Sequence, residues 1–185
     1  MQKFAVAGIV AVVLAVPSLS RAEDPFKPPA PRKEHEFLKH FAGEWETEGE
    51  MVAGPGMPPV KSKGTESAKL LGDFWIVSEL KGECMGVQMT GVMTVGYDAK
   101  KQKYVGTWVC SMCDWLCHYE GTVDATGKVL TLECEGPSPA DPTKLVKMKD
   151  VTELKDKDHR VLKSYLQTED GKWVQFLTMT ATRKK

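Results

Sequence analysis

The sequence lacks the features by which several classes of protein are recognised. Lysine plus arginine equals aspartate plus glutamate at 25 each, and no basic block stands out, so we expect no nucleic-acid partner. No second apolar segment long enough to span a membrane follows the N-terminal one. There is no Gly-x-Ser-x-Gly elbow, no phosphate-binding loop and no convincing Ser-His-Asp set. The sequence therefore predicts neither a catalytic residue nor a particular enzyme class, and it leaves any cofactor unknown.

The first 22 residues have the pattern of a signal peptide. Lys3 supplies the positive start, residues 4–16 the apolar core, and Ser20-Arg21-Ala22 a cleavage site with small residues on either side of the arginine. An uncleaved membrane anchor is the alternative, although the apolar run is short for a span. Cleavage would leave 23 basic and 25 acidic residues in a secreted or periplasmic protein. Its cysteines would then meet an oxidising compartment.

The rest of the chain divides into a linker and one domain. Residues 23–32 contain four prolines and predict an extended linker. Residues 33–185 predict one domain, which starts with a short amphipathic helix, Lys33–Phe41, with Phe37 and Phe41 facing inward. His35 and His40 are five residues apart on this helix, a poor spacing for a shared metal, and we expect both to lie on the surface.

After Gly43 the sequence predicts strands and no further helix. Residues alternate between apolar and polar, and Gly, Pro or Asp punctuate the pattern at short intervals. This favours an all-β, antiparallel up-and-down β-barrel of about ten strands, with the helix capping its closed end. The predicted strands are Glu44–Val52, Ser62–Leu70, Phe74–Lys81, Val87–Tyr97, Tyr104–Cys110, Cys117–Asp124, Val129–Glu135, Leu145–Leu154, His159–Thr168 and Lys172–Thr182.

The longer loops fall at one end of this barrel, which we call the mouth. They are residues 53–61, 82–86, 111–116 and 136–144, joined there by the tight turn 169–171. Ligands of closed barrels bind in the lumen and at its entrance, so the sequence predicts a small-molecule site at the mouth. The same end collects five methionines, which are also common apolar fillers: Met51, Met57, Met85, Met89 and Met112.

All five cysteines also map to the mouth. Cys84 is predicted in the loop 82–86 and Cys113 in the loop 111–116, above three cysteines at strand ends. A turn that pairs Asp124 with Gly127 sets Gly121 opposite Leu130, Tyr119 opposite Leu132 and Cys117 opposite Cys134. Matching the apolar faces of the preceding hairpin sets Trp108 opposite Tyr119 and Cys110 opposite Cys117. The register therefore predicts Cys110, Cys117 and Cys134 in one row across three strands.

Three interpretations of the cysteines remain open. The first is disulfides: Cys110–Cys117 or Cys117–Cys134, together with a loop pair involving Cys84 or Cys113 and one thiol left over. The second is a soft metal such as Cu(I) or Zn, bound by Cys110, Cys113, Cys117 and Cys134 with Met112 or His118 as further candidates. The third is covalent haem, because Cys113-Asp-Trp-Leu-Cys117-His118 is a widened form of the Cys-x-x-Cys-His attachment pattern.

Several motifs resemble known families. Gly43-Glu-Trp45 after a short helix is similar to the opening of lipocalin-like barrels, the calycin group, and that resemblance implies a basic residue, here Arg183, packed over Trp45. A fuller match comprises Glu34–Trp45, Leu70–Trp75, Gly96-Tyr-Asp98 and Tyr104–Trp108. Together these resemble a bacterial domain-of-unknown-function family, number fifteen seventy-nine. The resemblance implies a lipocalin-like fold and no assigned activity. Relatives usually have Asp where this chain has Cys110, so the cysteines depart from the family pattern.

We therefore expect an exported β-barrel that binds a small apolar or thiol-reactive ligand at a Cys- and Met-rich mouth. The alternative is a soft-metal-binding or thiol-redox protein that uses Cys110, Cys113, Cys117 and Cys134. A third possibility is a structural barrel whose rim is stiffened by disulfides.

Overall fold

A computed structural model of the chain describes residues 29–52, 57–84, 86–138, 141 and 143–185, with Cys84 described by its backbone alone. The predicted signal peptide and most of the predicted linker lie outside these residues. The elements are helix α1 (Lys33–Leu38), a 3-10 turn (Lys39–Phe41), and strands β1 (Gly43–Met51), β2 (Val60–Leu71), β3 (Trp75–Cys84), β4 (Val87–Asp98), β5 (Lys103–Cys110), β6 (Cys117–Val123), β7 (Val129–Pro137), β8 (Leu145–Leu154), β9 (His159–Gln167) and β10 (Trp173–Arg183).

The ten strands form one closed antiparallel barrel. Each strand pairs with its neighbours in the chain, and β1 closes the sheet on β10, with Trp45 opposite Arg183. Alternation along β1 decides which side chains enter the lumen: Trp45 and Thr47 are buried, whereas Glu44, Glu46 and Glu48 point away from it. The predicted fold class, the strand number and the closure are thereby confirmed.

The helix and its 3-10 turn cover the closed end of the barrel. Phe37, Leu38 and Phe41 are buried in one cluster with inward-facing residues of the strands. The ring of Phe37 lies 5.7 Å from that of Tyr104, whose hydroxyl donates a hydrogen bond of 2.9 Å to the carbonyl of Glu34. Hydrophobic burial and this hydrogen bond together hold the helix on the barrel, as the sequence predicts.

His35 differs from its prediction as a surface residue. Its side chain is buried, and its ring meets the rings of Phe74 and Tyr97 edge-on. Its Nδ1 accepts a hydrogen bond of 2.8 Å from the backbone N–H of Arg32 and so helps to cap the N-terminus of α1. His40 is exposed, as expected.

Trp45 lies between two guanidinium groups at the closed end. The Cζ atoms of Arg183 and Arg160 lie 4.1 and 4.2 Å from the centroid of the indole ring. The indole N–H donates to the carbonyl of Phe41 at 2.9 Å, and Arg183 donates to that of Ala42 at 2.6 Å. The predicted contact between Trp45 and Arg183 is confirmed, and Arg160 is an addition that sequence reasoning missed.

The predicted register between β6 and β7 is wrong by two residues. Gly121 pairs with Leu132 rather than with Leu130. The cause is a wider turn, because the carboxylate of Asp124 accepts hydrogen bonds from the backbone N–H groups of Lys128 and Val129, each at 3.0 Å. A shift of two residues keeps every side chain on its predicted face.

The predicted register between β5 and β6 is also wrong by two residues. Cys117 pairs with Trp108, so that Cys110 lies beyond the paired part of β6, and on its other side Cys110 pairs with Gly91 of β4. Cys110, Cys117 and Cys134 therefore do not form a row of directly opposed residues. All three still occupy inward-facing positions, in phase with buried Tyr104, Tyr119 and Leu132 respectively.

Candidate functional site

A cavity of about 160 Å³ lies inside the barrel near the mouth. Its wall is largely apolar, since Met51, Leu80, Met89, Leu177 and Met179 all project toward it from inward positions on β1, β3, β4 and β10. Thr47, Val60, Ser62, Gly64 and Gly82 complete the inward-facing lining, and Lys63, Lys81 and Glu83 lie at its edge. Alternation on successive strands therefore creates a thioether-rich pocket within the lumen.

The methionines predicted at the mouth fall into two groups. Met51 and Met89 line the cavity, whereas Met57 and Met112 are exposed. Met85 lies outside the described residues. Met179 was missed, although the alternation Leu177, Met179, Ala181 within β10 carries the signal that places it inside.

A larger hollow of about 450 Å³ lies outside the barrel, across β1 and β10. Glu48, Glu50 and Thr180 line it, and they alternate with the inward-facing residues of the same strands. Lys61 also lines it. It is a charged outer groove rather than a lumenal binding site.

The four cysteines with described side chains form two close pairs. The Sγ atoms of Cys110 and Cys113 are 3.0 Å apart, and those of Cys117 and Cys134 are 2.9 Å apart. All four are free thiols, because a disulfide bond is about 2.05 Å long. Cys117 with Cys134 is a pair that the sequence predicts, whereas Cys110 lies with Cys113 and not with Cys117.

The Cys117–Cys134 pair is the inner one. Cys134 is buried and Cys117 is half-buried, and the thiol of Cys134 donates its hydrogen bond to Cys117. That hydrogen bond lowers the pKa of Cys117, since it stabilises the thiolate, and raises the pKa of Cys134. The two sulfurs are therefore chemically unequal, with Cys117 the better nucleophile.

A buried polar group lies below the inner pair. The Tyr119 hydroxyl donates a hydrogen bond of 2.5 Å to the carboxylate of Asp150, which also hydrogen-bonds with buried Ser164. Burial raises the pKa of Asp150 and that of Tyr119. The charge of Asp150 acts on both inner thiols and disfavours their thiolates.

The Cys110–Cys113 pair is the outer one, in the connection between β5 and β6. The backbone N–H of Cys113 donates to the carbonyl of Cys110 at 3.3 Å, and this turn brings the two side chains together. Cys113 is exposed, and burial raises the pKa of half-buried Cys110. Trp115 folds back from the same connection and donates its indole N–H to the carbonyl of Glu135 at 3.0 Å.

Cys84 does not lie in a loop as predicted. It is the last residue of β3, and its backbone pairs with Val87 across a tight hairpin at the mouth. The strand continues further than Lys81 because Gly82 and Glu83 also pair with β4.

Within the part of the chain that the structure describes, no three His, Cys, Asp or Glu side chains are grouped closely enough to hold a metal ion. The four described sulfurs are arranged as two pairs, and His118 is exposed on the outer face. The same residues include no helix long and apolar enough to cross a membrane.

A comparison with protein-family models identifies the family of the chain. The model described as "Protein of unknown function (DUF1579)" matches residues 30–183. The chain belongs to this family. No curated protein matches it.

The fold of this DUF1579 protein is similar to that of solved β-barrels. The crystal structure of Rv2717c from M. tuberculosis aligns with a TM-score of 0.63 at 13% identity, over 84% of this chain and 100% of the other. A de novo designed fluorescence-activating β-barrel aligns with a TM-score of 0.44 at 14% identity, over 80% of this chain and 96% of the other. At such identity the first likeness establishes the fold alone.

Proposed function

We propose that this DUF1579 barrel binds a small apolar molecule, or the apolar end of a larger one, in the lumen near the mouth. The observation that carries the proposal is the cavity of about 160 Å³ walled by Met51, Leu80, Met89, Leu177 and Met179. Apolar cavities of about 150 Å³ stay dry and can bind benzene or xenon. Methionine adapts its shape and contacts aromatic rings favourably through sulfur, which suits such a wall to a planar guest.

The size of the cavity limits the ligand. Sites for drug-sized molecules typically have about 300–1,000 Å³, so the part of a guest that this cavity holds is smaller, on the order of one aromatic ring. A polar end would reach the edge formed by Lys63, Lys81 and Glu83. We therefore expect selectivity for a compact apolar group and tolerance toward what it is attached to.

Titration with benzene of protein carrying ¹³C-methyl methionine tests this proposal. The methyl signals of Met51, Met89 and Met179 should shift with a common saturating curve. Those of Met57 and Met112 should stay in place, because both side chains are exposed. Shifts confined to Met57 or Met112, or no saturable shift, would show that the lumen does not bind an apolar guest.

A pair of variants on β10 localises the binding. Leu177→Phe adds volume inside the cavity and should weaken benzene binding at least tenfold. Thr180→Phe adds the same kind of ring on the outward face of the same strand, in the outer groove, and should leave binding unchanged. Equal effects of the two substitutions would contradict a lumenal site.

We also propose that the chain acts after export. The signal-peptide pattern of residues 1–22 supports this, with cleavage after Ala22. N-terminal sequencing of the protein recovered from the extracytoplasmic fraction of expressing cells should begin at Glu23. Recovery of the intact N-terminus from the cytoplasm would contradict export.

A second candidate function is thiol-redox chemistry, which the two close sulfur pairs favour. Thiols about 3 Å apart need only a small movement to form a disulfide. Counting free thiols before and after oxidised glutathione is added tests this candidate. A loss of thiols in twos would support it, and an unchanged count would exclude it.

A further inference from the structure

We infer that Cys117 and Cys134 form a reversible disulfide inside the barrel, in which Cys117 attacks an incoming disulfide and Cys134 resolves the intermediate. This inference rests on the second candidate function and specifies its site. Four observations support it: the distance between the sulfurs, their unequal burial, the direction of their hydrogen bond and the charge beneath them.

Burial distinguishes the roles of the two cysteines. Cys117 is half-buried at the mouth end of β6, where a small disulfide can reach it, whereas Cys134 is only 8% exposed. The Cys134 thiol donates its hydrogen bond to the sulfur of Cys117. A hydrogen bond received by a sulfur stabilises the thiolate, which is the nucleophilic form. Cys117 is therefore the attacking sulfur, and Cys134 already lies 2.9 Å away to complete the exchange.

The exchange needs an oxidant of the disulfide class, such as an oxidised low-molecular-weight thiol. The Cys117 thiolate attacks one sulfur of that disulfide, a mixed disulfide forms, and the first thiolate leaves. The Cys134 sulfur then attacks the Cys117 sulfur, its proton passes to the second leaving thiolate, and an intramolecular disulfide closes. Two thiols of the protein are oxidised and one external disulfide is reduced to two thiols.

Asp150 favours the oxidised state of this pair. Its carboxylate acts electrostatically on both sulfurs, and Tyr119 and Ser164 fix it by hydrogen bonds. A negative charge at Asp150 opposes a thiolate at either cysteine, but it does not oppose a neutral disulfide. Closing the disulfide therefore removes the unfavourable interaction between Asp150 and the Cys117 thiolate on which the exchange depends.

The sequence makes the pairing easy to test by proteolysis. Trypsin releases residues 104–128, which contain Cys110, Cys113 and Cys117, separately from residues 129–144, which contain only Cys134. In a Cys110→Ser, Cys113→Ser background, a covalent link between these two peptides can only join Cys117 to Cys134. Cys84 lies in a third peptide, residues 82–100, and so gives a different mass.

The experiment treats this background protein with oxidised glutathione, blocks remaining thiols by alkylation and identifies the tryptic peptides by mass spectrometry. Residues 104–128 and 129–144 should become linked, and dithiothreitol should separate them. Adding Cys134→Ser, or Cys134→Ala as a check on folding, should stop the reaction at a glutathione adduct on Cys117. Adding Cys117→Ser should leave Cys134 unmodified.

Three results would overturn the inference: no link, a link to residues 82–100, or an adduct on Cys134 when Cys117 is absent. The same treatment of the unsubstituted protein distinguishes a failure of this inference from a failure of the second candidate function. A disulfide within residues 104–128 without a link to residues 129–144 would refute the inner pair and leave a redox role for the outer pair. An absence of both disulfides would refute both.

Discussion

The ion pair between Arg160 and Glu66 offers a direct test of how the closed end is stabilised. Its side chains are only 6% and 7% exposed, and the guanidinium also stacks on Trp45 and donates to the carbonyl of Phe41 at 3.4 Å. Glu66→Gln keeps the volume of the side chain and removes its charge. The Arg160 guanidinium then remains buried without a counter-charge, and removing one partner of a buried pair typically costs about 3–5 kcal/mol.

A surface pair provides the matched control. Lys63 and Glu48 approach to 2.9 Å, but their side chains are 84% and 66% exposed, and exposed pairs contribute little to stability because water and salt screen them. Urea unfolding of both variants, followed by tryptophan fluorescence, should show a large loss for Glu66→Gln and almost none for Glu48→Gln. Losses of similar size would show that burial does not govern the contribution of the Arg160–Glu66 pair.

The Arg160–Glu66 pair also predicts that substitutions of its two residues have non-additive effects on stability. Arg160→Met alone leaves the Glu66 carboxylate buried without a partner, whereas Arg160→Met with Glu66→Leu removes both charges. The double variant should lose less stability than Arg160→Met and Glu66→Leu lose in sum when each is made alone. An apolar replacement of the whole pair leaves no unpaired charge buried. Additive losses would contradict a direct interaction between the two side chains.

Three further predictions concern the helix, the lumen and a buried carboxyl. Phe37→Ala should lower the free energy of unfolding by about 3–5 kcal/mol in a urea titration, because the ring is buried at the closed end, and near-native stability would refute its placement. Gly91→Ala should lower the free energy of unfolding by about 1–3 kcal/mol, because the ring of Trp108 lies where the new Cβ would be. The same substitution should change the fluorescence of Trp108, and unchanged emission would contradict that packing. Asp150→Asn should stabilise the protein at neutral pH, because burial raises the pKa of Asp150, and the gain should vanish below about pH 3.9, where the carboxyl is protonated in both states. Asp124→Asn is the control, for which a stability change of the opposite sign is expected. Hydrogen bonds, first that from Thr126, lower the pKa of Asp124, so the substitution should destabilise the protein at neutral pH, and this loss should fade as the pH falls through the lowered pKa. Stability changes of the same sign in the two variants would contradict the environments described for Asp150 and Asp124.

Much of the barrel could be predicted because alternation depends on short-range physics. Each strand has one face in the lumen and one in water, so the two-residue period appears directly in the sequence. The prediction for Leu145–Leu154 matches β8 at both ends. The contact between Trp45 and Arg183 followed from a family resemblance and is present at 4.1 Å.

The register was harder to predict because it depends on details of the turns. Alternation distinguishes the two faces of a strand but not shifts by two residues, which satisfy it equally well. The hydrogen bonds from Lys128 and Val129 to Asp124 decide between these alternatives, and they appear only when the turn is built. The error between β5 and β6 removed Cys117 from its predicted place opposite Cys110, and the error between β6 and β7 removed it from its place opposite Cys134.

The sequence predicted which residues lie near the candidate site, but not which of them contact one another. Residue type and topology placed Met51, Met89 and the cysteines at one end, but the partner of each sulfur depends on side-chain geometry. Cys110 meets Cys113 because a turn joins them within the same connection. Arg160 was overlooked because its role depends on Glu66 and Trp45, which are distant in sequence.

Crystals of the protein pressurised with xenon would test the central claim most directly. Xenon binds in dry apolar cavities of about this size, and its electron density identifies the position without assuming a natural ligand. Our account predicts a xenon atom inside the barrel, in contact with Met51, Met89 and Met179, and its loss in Leu177→Phe. Xenon found only outside the barrel, or ordered water filling the lumenal cavity in its place, would contradict an apolar binding site.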